Sequence, residues 1–339
     1  MAFRKYCANR GLGNGSSSLN MNMQRVCIGD YLKILVTGGA GFVGSNIAKE
    51  AIKKGWEVRV LDNFFLGSSE NLNDIIDEIE LIRGDVRNEK LVNKATRGVD
   101  YIFHQAAVSS SQMFVPDPSF GISVNVQGFA NLLRYAQENS VRRVIHASTS
   151  TIYGALPTPH REDMHIERCP NFYATTKLSS EYLAKTFTLN RGLETVGLRY
   201  FSIYGPGEKP KGEYANLITQ FLWWMKKGER PVIYGDGSQT RDFTYVEDIV
   251  KANFLAAKRK NASGEVFNVG TGKSASVNAA TALLNKYLGT GIKPRYARNP
   301  IKGYVYHTKA DMTKSKKLLG FKAETSLEKG LKMLVRCYE

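Results

Sequence analysis

Cysteine is scarce: four in 339 residues, Cys7, Cys27, Cys169 and Cys337, none in a C-x-x-C pair and none spaced with histidine as zinc ligands are. That excludes a disulfide framework and a zinc-finger type of structural metal, so no metal site is expected and a reducing, cytoplasmic setting fits. No run of about 18 apolar residues is present, which leaves no segment for a transmembrane helix. Acids are outnumbered, 31 against 47 Lys and Arg, for a formal net charge of +16. A field of that sign draws anions, either a phosphorylated small molecule or a nucleic-acid backbone. Part of the excess has a plainer use: Lys258-Arg259-Lys260 and Lys316-Lys317 fall at expected helix ends, where cations favour the dipole.

What is present divides unevenly. The first 31 residues carry Arg4, Lys5, Arg10 and Arg25 with no acid before Asp30, around a Gly-Leu-Gly-Asn-Gly-Ser-Ser-Ser centre. They hold no apolar core of the kind a secretory signal needs. We read 1–31 as a basic, disordered N-terminal extension; a start placed early, with Met21 or Met23 as the true one, or a transit peptide would look similar. From Lys33 onward strands alternate with helices, as in a doubly wound parallel sheet. Strands are predicted at Lys33–Thr37, Glu57–Leu61, Ile79–Ile82, Tyr101–Phe103, Val144–Ala147 and Glu194–Arg199. Helices are predicted after the first strand to Lys54, over Ser119–Glu138 and over Tyr173–Asn190. Beyond 200 the rhythm loosens into shorter pieces, Pro231–Tyr234, Glu247–Lys258, Val266–Val269 and Val277–Tyr287. The expectation is an α/β fold: a Rossmann domain over 32–200, and a smaller α/β substrate-binding domain over 201–339 that returns some segments to the first.

After the first strand comes Thr37-Gly38-Gly39-Ala40-Gly41-Phe42-Val43-Gly44. Glycines there let the backbone turn sharply and approach a pyrophosphate, and the following helix aims its free N–H groups at that anion. The pattern carries weight because it lies between a strand and a helix. Asp62 closes the second strand, where a carboxylate accepts the adenosine ribose hydroxyls; an acid there favours NAD over NADP, whose 2′-phosphate it would repel.

A second pattern, Tyr173-Ala174-Thr175-Thr176-Lys177, puts Tyr and Lys on one face of a helix. A free phenol has a pKa of about 10 and is a poor base at neutral pH. A neighbouring ammonium and a positive nicotinamide ring both favour the phenolate, so a lowered pKa is expected. Upstream, Ser148-Thr149-Ser150-Thr151 closes a strand with hydroxyls suited to holding a substrate alcohol. His104, His146 and His307 lack paired ligand spacing and read as structural, as does Trp223-Trp224 on an amphipathic helix.

Together these residues resemble the extended short-chain dehydrogenase/reductase family, and within it the NAD-dependent nucleotide-sugar epimerases, UDP-glucose 4-epimerases above all. The resemblance runs from about Lys33 to the C-terminus. Further blocks in order are Gly84-Asp85-Val86-Arg87, His104-Gln105-Ala106-Ala107, Asn125-Val126-Gln127-Gly128, Leu198-Arg199-Tyr200-Phe201, Tyr204-Gly205-Pro206-Gly207, Tyr234-Gly235-Asp236-Gly237 and Asn268-Val269-Gly270. It implies that Gly38, Gly41, Phe42, Val43 and Gly44 cradle the NAD pyrophosphate, Asp62 and Asn63 hold the adenosine ribose, and Asp85 and Val86 border the adenine. Ala106, Ala107 and Asn125 would line the inner cleft. Tyr173 would be the base, Lys177 would hold the nicotinamide ribose, and Thr149 would stand at the family's Ser/Thr position. On the substrate side, Arg241 would grip a diphosphate, with Ser202, Asn216, Leu217, Tyr234 and Thr308 around it. A UDP-sugar partner and a homodimer built on helices 120–137 and 173–190 are also implied.

Three departures stand out. Ser202 replaces the usual Asn, Phe172 precedes the tyrosine where Pro is frequent, and Ile301 stands where a phosphate-binding Arg is common, leaving Lys302 or a tyrosine to substitute. Dehydratases and decarboxylases of the same scaffold carry acids after the catalytic Thr; here Ser150 and Thr151 follow, which favours C4 epimerisation through a 4-keto sugar over loss of water or CO₂. Thr308 stands where the resemblance places the residue that gates pocket size, and its small side chain implies a pocket that admits N-acetylated sugars as well as UDP-glucose and UDP-galactose; the alternative is a packing residue only. A non-catalytic RNA-binding relative is the remaining reading, disfavoured because Tyr173 and Lys177 are both kept.

Overall fold

In a computed structural model, residues 32–301 and 303–338 are described. The extension expected over 1–31, and Lys302 as a substitute phosphate ligand, lie outside them. The first half alternates as the sequence predicts. It runs β1 (Lys33–Thr37), α1 (Phe42–Lys53), β2 (Glu57–Asp62), β3 (Ile79–Arg83), α2 (Glu89–Thr96), β4 (Tyr101–His104), α3 (Pro118–Ile122), α4 (Gly128–Glu138), β5 (Arg143–Thr149), α5 (Phe172–Arg191) and β6 (Glu194–Tyr200). Shorter pieces follow: β7 (Ile203–Tyr204), α6 (Leu217–Lys226), β8 (Val232–Tyr234), β9 (Thr240–Arg241), β10 (Thr244–Tyr245), α7 (Val246–Lys258), β11 (Glu265–Val269), β12 (Ala275–Ser276), α8 (Val277–Leu288), β13 (Arg295–Ala297) and α9 (Leu327–Cys337).

Seven strands make one parallel sheet in the order β11-β6-β5-β4-β1-β2-β3. Such a sheet is covered on both faces, so its strands are apolar runs rather than alternating ones. Ile34, Leu35 and Val36 are accordingly buried, toward both faces at once. One core layer joins Ile34, Val36, Ile47, Phe103, Ile145, Phe254 and Phe267; the other joins Leu35, Ile102, Phe129, Leu132, Val144 and Ala184. A third cluster, with Ile218, Phe221, Ile233, Leu284 and Leu331, lies in the later part of the chain. Strand order turns about β1 and β4, and the crevice at such a switch point, beyond the strand ends, is where ligands bind in doubly wound sheets.

Two helices escaped the sequence reading. α2 spans only eight residues, too few for a clear period. α9 carries Gly330 in its interior, which weakens a helix pattern; a side chain there would overlap the Tyr204 hydroxyl. The helix predicted over Ser119–Glu138 is interrupted by a π-turn over Ser123–Gln127. Within that turn Asn125 accepts the Val108 N–H at 2.8 Å and donates to the Val108 carbonyl at 3.0 Å and to Thr176 at 3.0 Å.

The two halves of the sheet share one device. Arg59 on β2 donates through Nη1 to the Ala95 and Arg97 carbonyls at the end of α2, and through Nε to Glu80 on β3. Arg143 on β5 does the same for α7, through the Ala256, Ala257 and Arg259 carbonyls, with Nε on Glu194 of β6. Both helices end on an extended residue rather than a left-handed glycine, and the buried guanidinium satisfies the orphan carbonyls instead.

Candidate active site

A cavity of about 510 Å³ opens beyond the strand ends and is lined from both parts of the chain. Its first wall is the glycine turn after β1. Gly38 has φ +68°, and a Cβ there would lie 2.6 Å from the Ala106 nitrogen; one on Gly44 would overlap the Gly38 carbonyl. Packing therefore demands both. Gly41 is different: a Cβ would meet only the Gly38 oxygen, at 3.2 Å, and its missing side chain leaves room in the cavity. Helix α1 then begins on Gly41 with no side-chain cap and no acid in its first turn. By contrast α2, α5, α6, α8 and α9 start on Asn88, Asn171, Asn216, Ser276 and Ser326 side chains. Free N–H groups and a positive dipole end thus face a space kept clear by Gly41, a fit for a dinucleotide's pyrophosphate.

Phe42, Val43, Asp62, Asn63, Val86, Ala106 and Ala107 also line the cavity. Asp62 is buried, accepting the Ala40 N–H at 2.9 Å and the Phe64 N–H at 2.7 Å. Burial pushes its pKa above the usual carboxylate value, and those N–H bonds oppose the rise. Four expected residues do not reach the cavity wall. Asp85 is turned to the Arg87 guanidinium, which holds its pKa down, and takes a bond from Asn63 at 2.9 Å. Asn125 is consumed by Val108 and Thr176. Leu217 is packed against the third core cluster, and Tyr234, 38% exposed, accepts from Gln239 through its carbonyl.

The second wall is the end of β5 with the start of α5. Asn171 caps α5 by accepting the Ala174 N–H at 2.9 Å, which fixes Tyr173 and Lys177 one turn apart on the cavity face. Thr149 Oγ1 donates to Thr151 Oγ1 at 3.0 Å and accepts the Thr151 N–H at 3.1 Å, and it lies near enough to the Tyr173 phenol to favour its charged form. Lys177 Nζ donates to the Ala147 carbonyl at 3.0 Å. Burial adds an effect that the sequence argument did not contain: it pushes the Tyr173 phenol up to about 12, with Thr149 opposing, so the lowering expected from Lys177 and a positive nicotinamide ring acts against that rise. Burial also pulls Lys177 down to about 8, with the Glu181 carboxylate one turn along the helix opposing.

Glu181 anchors a buried network behind this wall. It accepts from Ser148, the neighbour of Thr149, and from Arg199 through Nε at 2.9 Å and Nη2 at 2.7 Å. Arg199 also donates to the Tyr153 hydroxyl at 2.9 Å, and Tyr153 donates to Asn268 at 2.7 Å. Strand β5, helix α5 and strands β6 and β11 are thereby braced around the reacting end. His104 is buried and bonded to Thr37 at 2.7 Å; burial lowers its pKa well below the ordinary value and that of His146 to about 3, so both are neutral packing groups.

The third wall comes from beyond residue 200. Ser202, Asn216, Arg241 and Thr308 line it, with Ile301. Ser202 is held at φ +25°, an unusual backbone for a side chain other than Gly. Arg241 donates to the Thr240 carbonyl at 2.9 Å and the Tyr306 carbonyl at 2.8 Å, and its guanidinium lies 5.0 Å from the Tyr304 ring centre. Burial lowers its pKa, and Tyr304 opposes this. Thr308 is buried, and its hydroxyl accepts the Asp242 N–H at 3.2 Å. Tyr304, Lys211, Tyr214 and Ser109 to Ser111 are also in the lining. The sequence reading did not single these out, although the serine run was in plain view; Ser110 Oγ is buried without a partner. Asp62 is the only carboxylate among the described residues lining the cavity, and strands β1 and β4 stand between its strand and that of Thr149.

A parallel sheet with a glycine cradle at its switch point and a Tyr-Lys pair across it defines a dinucleotide-dependent enzyme of the short-chain dehydrogenase/reductase class. Comparison with known proteins agrees: the model of the NAD-dependent epimerase/dehydratase family matches residues 34–270, and the chain belongs to that family. UDP-glucose 4-epimerase of Mycolicibacterium smegmatis is 31% identical, over 91% of this chain and 98% of that protein. The crystal structure of UDP-glucose 4-epimerase from Thermotoga maritima with UDP-glucose superposes with a TM-score of 0.85 at 35% identity, covering 91% of this chain and 98% of that one. UDP-N-acetylglucosamine 4-epimerase from Methanobrevibacter ruminantium, in complex with UDP-N-acetylmuramic acid, does so with a TM-score of 0.85 at 34% identity, over 91% and 98%.

Proposed function

We propose that the protein is an NAD-dependent UDP-sugar 4-epimerase, interconverting UDP-glucose and UDP-galactose and accepting their N-acetylated forms. The observation that carries this reading is one cavity lined by the Gly38–Gly44 cradle, by Tyr173, Thr149 and Lys177, and by Arg241. NAD supplies a hydride acceptor and, when oxidised, a positive charge beside the phenol. Thr149 orients the sugar C4 hydroxyl and Tyr173 takes its proton as C4 loses hydride; the same phenol returns the proton when the ketone is reduced on its other face. Lys177, protonated below its pKa of about 8, stabilises the phenolate form of Tyr173 that accepts this proton. Arg241, its fork fixed by two carbonyls and the Tyr304 ring, grips the diphosphate while the sugar turns.

The cradle residues Gly38, Gly41, Phe42, Val43 and Gly44 would hold the cofactor phosphates, with Asp62 and Asn63 at the adenosine ribose and Val86, Ala106 and Ala107 along the cleft. Ser202, Asn216 and Thr308 serve the sugar nucleotide. In this reading 32–200 is the cofactor-binding part and 201–339 mainly the substrate-binding part, with β11 and α7 packed on the first. Dehydration or decarboxylation is disfavoured because hydroxyls, Ser150 and Thr151, line the cavity where those reactions use acids. A homodimer through α4 and α5 is supported by exposed Tyr182 and Leu189 on α5, and a cytoplasmic setting by the scarcity of cysteine in the sequence. Among the described residues, no helix is long and apolar enough to cross a membrane.

The test is incubation with UDP-, dTDP- and GDP-sugars and analysis of the product's C4 configuration. Epimers of UDP-glucose and UDP-N-acetylglucosamine are expected; a dehydrated or decarboxylated product would replace this reading, and no N-acetyl turnover would remove the roomy-pocket part of it.

A further inference from the structure

The segment after β7, Gly205-Pro206-Gly207-Glu208-Lys209-Pro210-Lys211, is strapped across the start of α1. Asn46 Nδ2 donates to the Pro206 carbonyl at 3.2 Å while also holding the Phe42 carbonyl at 2.8 Å. Asn71 Nδ2 donates to the Gly207 carbonyl at 3.2 Å and the Ala40 carbonyl at 3.0 Å. The strap is therefore tied to the glycine turn itself. It ends with Lys211, whose Nζ lies 5.7 Å from the centre of the Phe42 ring, the first residue of α1.

Beneath the strap is a carboxylate with no exposure at all, Glu208. It accepts the Asn216 N–H at 3.0 Å, the Thr219 hydroxyl, and Lys211 Nζ at 3.4 Å. A buried carboxylate costs the fold dearly unless it is paired. Here it fixes an ammonium at the cavity wall, leaving that group further N–H donors to offer. Three cations are found among the described residues that line the cavity. Lys177 is turned to the Ala147 carbonyl, and Arg241 to the Thr240 and Tyr306 carbonyls. Lys211 is the one placed against the first residue of the uncapped helix.

We propose that Lys211, carried by this strap and held by Glu208, is a diphosphate-binding residue that clasps the cofactor's pyrophosphate against the start of α1. The inference rests on the NAD-dependent reading above. Because a diphosphate also links the substrate's nucleoside and sugar, the test must separate the two. Titration calorimetry of the full chain with NAD and, separately, with UDP would compare wild type with Lys211→Met. The double variant Lys211→Met/Glu208→Gln removes both charges and so avoids stranding the buried carboxylate should the single variant fold poorly. The expected result is an NAD Kd raised about tenfold, with a flatter dependence on salt, a UDP Kd within twofold of wild type, and recovery in Lys211→Arg. An NAD Kd unchanged in the double variant, or a loss confined to UDP, overturns the proposal. A wild-type protein that takes up no NAD would instead overturn the reading on which it rests.

Discussion

Replacing Lys177 with methionine should make the protein more stable, not less. Burial holds its ammonium at a pKa of about 8 against an ordinary 10.5. At about 1.4 kcal/mol per pH unit, that gap makes the charge cost the folded state roughly 3 kcal/mol at neutral pH. Methionine has nearly the same length and no charge to desolvate. It does forfeit the bond to the Ala147 carbonyl, a loss of about 1 kcal/mol. The net gain is then about 2 kcal/mol, or roughly 4 °C in Tm for a chain of this size. The pH dependence follows from the direction of the shift. Below pH 8 both folded and unfolded chains keep the proton and the penalty is complete. Between 8 and 10.5 the unfolded chain binds more protons than the folded one, so wild-type stability recovers and the advantage of Lys177→Met shrinks. Calorimetric melts of both proteins at pH 7 and pH 10 read the difference directly. A variant that melts several degrees lower at pH 7, or a gap that ignores pH, would refute the reasoning and make Lys177 a structural residue.

Arg241→Met should raise KM for a UDP-sugar at least tenfold while changing kcat little, because it removes charge-assisted binding of about 1.5–3 kcal/mol from ground and transition states alike; steady-state kinetics check this. Glu181→Gln leaves Arg199, 5% exposed, without its counter-ion and should cost about 3–5 kcal/mol, seen as a lower denaturant midpoint. Arg143→Met and Arg59→Met should each cost about 2 kcal/mol by the same measurement, since each frees the carbonyls at one helix end.

The elements most legible in the sequence were those whose cause is local. Lys33–Thr37, Val144–Ala147 and Glu194–Arg199 announced themselves as apolar runs, and the glycine turn and the Tyr173–Lys177 spacing carried their chemistry within a few residues. Long-range consequences were not legible. That Arg199 meets Glu181, or that Tyr304 lies under Arg241, depends on strands and loops brought together by the fold. The burial that raises the Tyr173 pKa was hidden for the same reason, because the sequence shows the neighbouring lysine but not what encloses the phenol. The π-turn at Ser123–Gln127 was hidden because the bonds that accompany it, from Asn125 to Val108 and Thr176, link segments far apart in the chain.

The central claim is that the Tyr173 hydroxyl carries the C4 proton. It is tested most directly by Tyr173→Phe, assayed for interconversion of UDP-glucose and UDP-galactose alongside calorimetric binding of NAD and UDP. A fall in kcat of roughly 10²–10⁴, with both affinities kept, is the predicted result. Turnover near the wild-type rate in that variant would contradict the account.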